Sequence, residues 1–321
     1  MEINMKKTQR TENPFPFSDT NKRYHTLDYH FRKVLGGKAC KIPIDAGFTC
    51  PNRDGTKGEG GCTFCSGRGS GEFALGSRFS ITEQIDAGIE MMRKKWENAI
   101  FIPYFQSFTN TYAPLPVLKE RYGEALRHPL CKGLCIATRP DCITPEIAEY
   151  LHKLSKETFL MVELGLQTSN DVTAMGLNRG YGYGDFLKAY DLLNGLFVCV
   201  HLINGLPGEA HETMLQSAKD LALLNVPAVK IHSLYVTEGT KIAESYRRGE
   251  FEVISKEEYV RTVCDQLEIL PPTTVIERVT GDGAPDTLIA PEWSKKKLSV
   301  QNDIDKELYR RGSYQGIKYV E

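Results

Sequence analysis

The sequence predicts an α/β fold, a partial (β/α)6 barrel of the TIM type with an N-terminal arm before it and a small α+β appendage after it. Three observations carry this expectation. Short, almost continuously apolar runs alternate six times with stretches of helical periodicity between residues 41 and 236. That is the pattern of parallel strands buried on both faces and joined by right-handed crossovers. Polar motifs fall where those runs end, and in such barrels the chemistry sits at the C-terminal ends of the strands. Beyond Thr240 the alternation fades. The expected organisation is an arm over residues 1–40, a barrel over 41–240 with a polar loop at 45–72, and an appendage over 241–321.

The arm carries Pro14 and Pro16, which argue against helix. Residues 25–35 can form a short helix that Gly36 and Gly37 end. Residues 41–48 alternate and are rich in Ile, a first strand that delivers Cys50 to its C-terminal end. Ser80 and Glu83 form a capping box, and Ile81, Ile85, Ile89, Met92 and Trp96 follow at helical spacing. Residues 100–105 read as the second strand, 115–127 as a helix and 134–137 as the third strand. Thr144 caps a helix with Pro145 at its first position, running to residue 155. Strands at 158–164, 197–203 and 228–236 alternate with helices at 185–194 and 209–224. The appendage reads as a helix at 255–270, a strand at 274–279 and a charged helix at 291–311.

A chain of 321 residues is long enough for one large domain with a full core. Apolar residues make up 41% and charged residues 25%, ordinary values for a soluble protein. No apolar run approaches the roughly 20 residues that span a bilayer. The first segment has positive charges without an apolar stretch behind them, so it does not read as a secretory signal, and the expected location is the cytoplasm. Nine cysteines without regular spacing fit a reducing compartment, where thiols are ligands or small hydrophobes. A net charge of −1 gives no global attraction to phosphate. Two local basic accumulations, Lys22, Arg23, Arg32, Lys33, Lys38 and Lys41 and then Lys295, Lys296 and Lys297, read either as solvated faces or as contacts to nucleic acid.

The densest chemistry lies in the loop. Cys50, Cys62 and Cys65 are followed by Gly67, Gly69 and Gly71. Thiolates bind iron–sulfur clusters, zinc or copper(I), and the two-residue spacer lets Cys62 and Cys65 converge on one site. A structural zinc site normally has four protein ligands, and the nearest histidines, His30 and His128, are far off in sequence. An iron–sulfur cube held by three cysteines leaves one iron open to a ligand from outside the protein. Cys131, Cys135 and Cys142 lack a Cys-x2-Cys pair, and Cys135 sits in an apolar run where a thiol is usually a small hydrophobe. Thr109, Asn110, Arg139, Lys230 and Arg278 fall near the expected barrel mouth, as cofactor or substrate contacts or as structural polar groups.

The three-cysteine loop followed by six βα units resembles the radical S-adenosylmethionine superfamily. The segments YFQSFTNTYAP (104–114), IATRPDCI (136–143), VELGLQTSND (162–171), HLINGLPGE (201–209) and KIHSLYVTEGT (230–240) are similar to its Elp3-like branch and to the oxygen-independent coproporphyrinogen oxidases. The familiar superfamily spacing is Cys-x3-Cys-x2-Cys; the eleven residues between Cys50 and Cys62 resemble the wider gap of the Elp3 type. The resemblance implies a [4Fe–4S] cluster on Cys50, Cys62 and Cys65, and S-adenosylmethionine on the open iron as the source of a deoxyadenosyl radical. It implies further cofactor contacts. Gly71 and Glu72 lie in a segment similar to the Gly-Gly-Glu element that holds the cofactor's ammonium, with Thr109 and Asn110 nearby. Glu163, Gln167 and Arg179 resemble positions that bind its sugar or carboxylate, and His201 stands where porphyrin-pathway relatives carry an Asp. Arg139, Lys230 and Arg278 remain as substrate-binding candidates, and no single catalytic residue is assigned.

Residues 276–293, IERVTGDGAPDTLIAPEW, look like the segment that follows the barrel in the Elp3 type, and no acetyltransferase-sized stretch comes after them here. The resemblance therefore implies tRNA as partner and a wobble-uridine side chain as substrate, with conversion of carboxymethylaminomethyl to aminomethyl as the concrete reaction. It also implies a reductant protein such as flavodoxin or ferredoxin. Two other readings stay open: a radical oxidoreductase acting on a tetrapyrrole or other small metabolite, and a non-catalytic iron–sulfur or zinc protein.

Overall fold

Seven parallel strands make one curled sheet, and the two-residue period inside each strand decides what the sheet encloses. The computed structural model describes residues 13–281, 283 and 285–320, so the first twelve residues of the expected arm lie outside the described residues. Helix α1 (Leu27–Leu35) starts where the Thr26 hydroxyl accepts a hydrogen bond from the Tyr29 amide, and it stops at Gly36, whose φ of 81° suits a residue without Cβ. β1 (Ala39–Ile44) follows, then a long loop, then α2 (Ile81–Arg93) with its expected capping box formed. The units β2 (Ile100–Phe105) and α3 (Leu115–Arg127), β3 (Leu134–Thr138) and α4 (Pro145–Leu154) come next. They are succeeded by β4 (Leu160–Gln167), α5 (Asp171–Gly176) and α6 (Tyr183–Leu192), then β5 (Phe197–Asn204), α7 (His211–Leu223) and β6 (Ala228–Ser233). The chain closes with β7 (Val236–Thr237), α8 (Lys241–Arg247), α9 (Lys256–Ile269), β8 (Val275–Arg278), β9 (Leu288–Ala290) and α10 (Lys297–Arg310).

The strand order is β1-β2-β3-β4-β5-β6-β8, parallel throughout, the partial barrel that the sequence predicts. The strand expected at 274–279 in the appendage is the seventh member of this sheet, pairing Ala228 with Val275. Its Val275 and Ile276 are buried like the apolar pairs of the other strands, and α9 serves as its crossover. What hides the seventh unit is the excursion between β6 and α9. The run expected as one strand over 228–236 breaks after Ser233, and β7 leaves to pair antiparallel with β9. Helices α5 and α8, of six and seven residues, are too short to leave a periodic signal; Asn170 and Thr240 cap them. Among the described residues no helix is long and apolar enough to cross a membrane.

Successive residues of a strand point to opposite faces. One set, with Ile42, Ile136, Val162, Val200 and Ile231, packs outward against the helices. The other set points into the barrel, where Ile102, Cys135, Met161, Cys199, Ala228 and Val275 form a floor closed from below by Leu27 and Phe31 of α1. The next inward positions are Lys41, Tyr104, Glu163, His201, Lys230 and Glu277, and above them the barrel opens into a cavity.

Candidate functional site

The cavity measures about 810 Å³ and its wall includes Cys50, Cys62 and Cys65. The loop between β1 and α2 contains no helix or strand, so side chains hold it. The Asn52 amide donates to the Asn178 carbonyl at 2.6 Å and lies 3.7 Å from the Cys62 sulfur. Asn178, in the left-handed region at φ 52°, donates back to the Gly61 carbonyl at 2.9 Å. The Thr63 amide donates to Leu177 and its carbonyl accepts from Ile242 of α8. From within the loop, Arg53 donates to the Cys65 carbonyl at 3.0 Å and to that of Ser66. The three thiols thus stand on a backbone fixed from both sides.

Burial, helped by the neighbouring Cys65, pushes the Cys62 thiol up to about 12, and burial raises the Cys65 thiol as well. Cys62 and Cys65 become thiolates here only with a compensating cation, and a coordinating metal removes a thiol's proton outright. A structural zinc site takes four protein ligands, and the loop offers three cysteines and no histidine, a donor set that fits a cube in which three irons each take one thiolate and one iron stays open.

Gly69 and Gly71 make room for protein. A Cβ at Gly69, where φ is 59°, would lie 2.5 Å from the Phe108 ring, and one at Gly71 would lie 1.8 Å from the Ser107 hydroxyl. The glycines let the loop close on the turn after β2, and the Phe108 amide donates to the Gly69 carbonyl at 2.8 Å. Glu72 faces the cavity and accepts from the Ser66 hydroxyl.

The floor of the cavity is a charged layer. Glu163 is fully buried and accepts from Tyr104 at 2.7 Å, from Lys230 at 2.7 Å and from Lys41, with His201 Nε2 at 2.7 Å. Glu277 receives Lys41 at 2.7 Å and Lys230 at 3.0 Å. Burial alone would protonate these carboxyls. Lys230 and Lys41 outweigh it, holding Glu163 well below the usual carboxylate range and Glu277 down at about 2 despite the repulsion of Glu163. Burial and Lys230 lower His201 against the pull of Glu163, while burial and Arg278 push His232 far down. Both histidines are therefore neutral at pH 7. The Glu163, His201 and Glu277 set is already closed by two ammonium groups, which disfavours a further cation there.

Of the residues that the sequence analysis singles out, Glu72, Thr109, Arg139, Glu163, Gln167, His201, Lys230 and Arg278 line this cavity with the three cysteines. Arg139 is held in a two-pronged pair with Asp141 at 3.0 Å for each bond and lies over the Tyr181 ring. Gln167 adopts φ 63° and folds over Gly165, where a Cβ would come within 2.7 Å of its amide nitrogen. Three candidates, Gly71, Asn110 and Arg179, lie outside the cavity wall. Asn110 ties the ends of β2 and β3 by donating to Phe105 at 3.0 Å and Ala137 at 2.8 Å. Arg179, fully buried, gathers the Leu166, Thr168 and Tyr181 carbonyls behind the end of β4. Cys131, Cys135 and Cys142 are buried, and Cys135 belongs to the apolar floor. The first basic accumulation breaks up: Lys41 points into the barrel, and Lys22, Arg32 and Lys38 pair with aspartates. Lys41, Tyr104, His232 and Glu277 were missed; their signal is one ionisable or hydroxyl-bearing side chain at an inward position of an otherwise apolar strand.

Comparison with known proteins gives a consistent picture. A family model described as the Radical SAM superfamily matches residues 50–221, and one described as the Radical_SAM C-terminal domain matches residues 226–310. The uncharacterized protein YtqA of Bacillus subtilis is 46% identical over 306 residues, spanning 95% of each chain. The tRNA uridine(34) acetyltransferase of Methanocaldococcus infernus is 32% identical over 185 residues, which is 56% of this chain and 34% of that protein. Among solved structures, the M. infernus Elp3 with an N-terminal deletion superposes with a TM-score of 0.65 at 24% identity, covering 74% of this chain and 61% of that one, a likeness of fold.

Proposed function

Because the chain belongs to the radical SAM superfamily, we propose that it is the enzyme that remodels the wobble-uridine side chain of tRNA, converting carboxymethylaminomethyl to aminomethyl. Its cofactors are a [4Fe–4S] cluster and S-adenosylmethionine, which when bound would supply a deoxyadenosyl radical to take a hydrogen atom from the methylene beside the carboxylate and would accept one further electron, so that water releases the two-carbon unit as glyoxylate and leaves the aminomethyl group. The observation that carries the choice of substrate is the similarity of the barrel to a tRNA uridine(34) acetyltransferase, a protein named for the same nucleotide position.

In this reading Cys50, Cys62 and Cys65 hold the cluster, and Glu72, Thr109 and Gln167 orient the cofactor on the cavity wall, with Gly71 closing the loop on Ser107 next to Glu72. Asn110 and Arg179 act behind the wall, fixing the strand ends from which those contacts project. The layer of Glu163, His201, Lys230, Lys41 and Tyr104 forms a polar floor whose groups are satisfied by one another. A floor of that kind needs no water to stay buried, and water must be kept from a reactive radical. Arg139 and Lys230 are neutralised by Asp141 and by Glu163 and Glu277, and a reductant protein such as flavodoxin or ferredoxin delivers the electron in the cytoplasm, where tRNA is. Deletion of the gene followed by mass spectrometry of tRNA nucleosides tests the proposal: carboxymethylaminomethyluridine accumulates at the expense of aminomethyluridine and its derivatives, and an unchanged wobble profile sinks it.

A further inference from the structure

The cations that face the cavity are not equivalent. Lys41 and Lys230 are each gripped by both Glu163 and Glu277. Arg139 is taken by Asp141. Arg278, on the last strand of the sheet, lines the same cavity, yet among the described residues its guanidinium makes no hydrogen bond and no salt bridge. Its surroundings are Glu277 and Glu163, which already serve the lysines, the phenols of Tyr104 and Tyr235, and the neutral ring of His232. The described floor therefore holds three cations, Lys41, Lys230 and Arg278, against two carboxylates, Glu163 and Glu277. An unbalanced buried charge is costly unless a counter-charge arrives, and one negative charge balances this layer.

We propose that Arg278 is the subsite that receives the carboxylate of the substrate's side chain, with His232 forming the adjoining wall. The planar fork of a guanidinium matches a carboxylate with two parallel bonds, and a single negative charge restores neutrality. The wall beside it is tightly defined: a Cβ at Gly281 would lie 2.6 Å from the Tyr235 hydroxyl and 2.9 Å from His232 Nδ1. Gripping the carboxylate fixes the methylene next to it inside the cavity that the three cysteines also line. The identity of the carboxylate rests on the wobble-uridine reading; the anion subsite rests on the charge and the partners of Arg278.

The test is anaerobic binding of anticodon stem-loops to the cluster-loaded protein, one carrying carboxymethylaminomethyluridine and the other aminomethyluridine. The wild type binds the carboxylate-bearing loop about 10- to 100-fold more tightly, the scale of a charge-assisted pair in a dry site. Arg278→Met abolishes that preference while iron content stays at the wild-type level, and Arg278→Lys, which keeps the charge and loses the fork, retains part of it. A wild type without preference, or an Arg278→Met protein that keeps it, overturns the proposal. Where Arg278→Met fails to load its cluster, Arg278→Lys decides alone, and an undiminished preference overturns the subsite. The nucleoside profile of the deletion strain reports separately on the wobble-uridine reading, so a changed profile with an unchanged preference removes the subsite and leaves that reading standing.

Discussion

Glu163 joins the two halves of the buried charge layer, because Lys41, Lys230, Tyr104 and His201 all converge on it. Removing one partner of a buried ion pair leaves the other uncompensated, so Glu163→Gln is expected to destabilise the fold by about 3–5 kcal/mol, read as a lower midpoint in denaturant titration. The same layer sets an acid limit. Glu277 has an ordinary value of 4.5 and is held at about 2 in the fold by the two lysines and Arg278, acting against burial and Glu163. A depressed folded value means that the unfolded chain binds the proton more readily, so this contribution is fully present above about 4.5 and is lost as pH falls from there towards 2. Glu163 acts in the same direction. Thermal unfolding followed from pH 7 downward should show Tm dropping in that window, and Glu163→Gln should flatten the drop. At this scale Lys230 and Arg278 were legible as polar residues near the expected barrel mouth, and Glu163 and His201 through the family resemblance. Lys41 reads from the sequence as one of a basic accumulation, and nothing marks Glu277 beside Arg278, because one sequence cannot tell which face of a strand turns inward until the register is known.

Among the elements, the cysteine loop is the least regular and the most constrained. Gly71→Ala drives a Cβ into the Ser107 hydroxyl, whereas Gly67 has nothing within 4 Å of a Cβ and no positive φ. Gly71→Ala is therefore expected to lower cluster retention severalfold, measured as iron per chain after anaerobic reconstitution and desalting, while Gly67→Ala retains iron like the wild type. Equal retention in both would show that the close approach to Ser107 plays no part in holding the loop. Cys62→Ala removes one of three thiolates and should leave no stable cluster, with the fold intact by circular dichroism. The strands and long helices were legible from periodicity and caps; Ser80 with Glu83, Thr144 with Pro145 and Gly36 each mark the boundary that the structure has. The anchors of the loop were not, because Asn178, Leu177 and Ile242 lie more than a hundred residues away and meet it only through the tertiary fold.

At the scale of the molecule, a curled parallel sheet with its floor plugged by α1 leaves one large cavity over the strand ends, and the three thiols and the charged layer share it. Their meeting follows from the period of the strands: every strand but β3, which has Ala137 there, contributes an inward polar side chain at this level, and the loop after the first strand lines the same cavity. The seventh strand was the part of the architecture that the alternation concealed, and it brings Glu277 and Arg278, which set the charge of the floor. In the proposed function this cavity couples radical formation at the cysteines to a tRNA side chain that enters it over the charged layer. This coupling is tested most directly by incubating the anaerobically reconstituted protein with S-adenosylmethionine, a reductant and tRNA from the deletion strain, and measuring deoxyadenosine and wobble nucleosides together. The account predicts deoxyadenosine and aminomethyluridine rising in step as carboxymethylaminomethyluridine is consumed, and neither rising with Cys62→Ala. Deoxyadenosine formed with the tRNA left unaltered would contradict it.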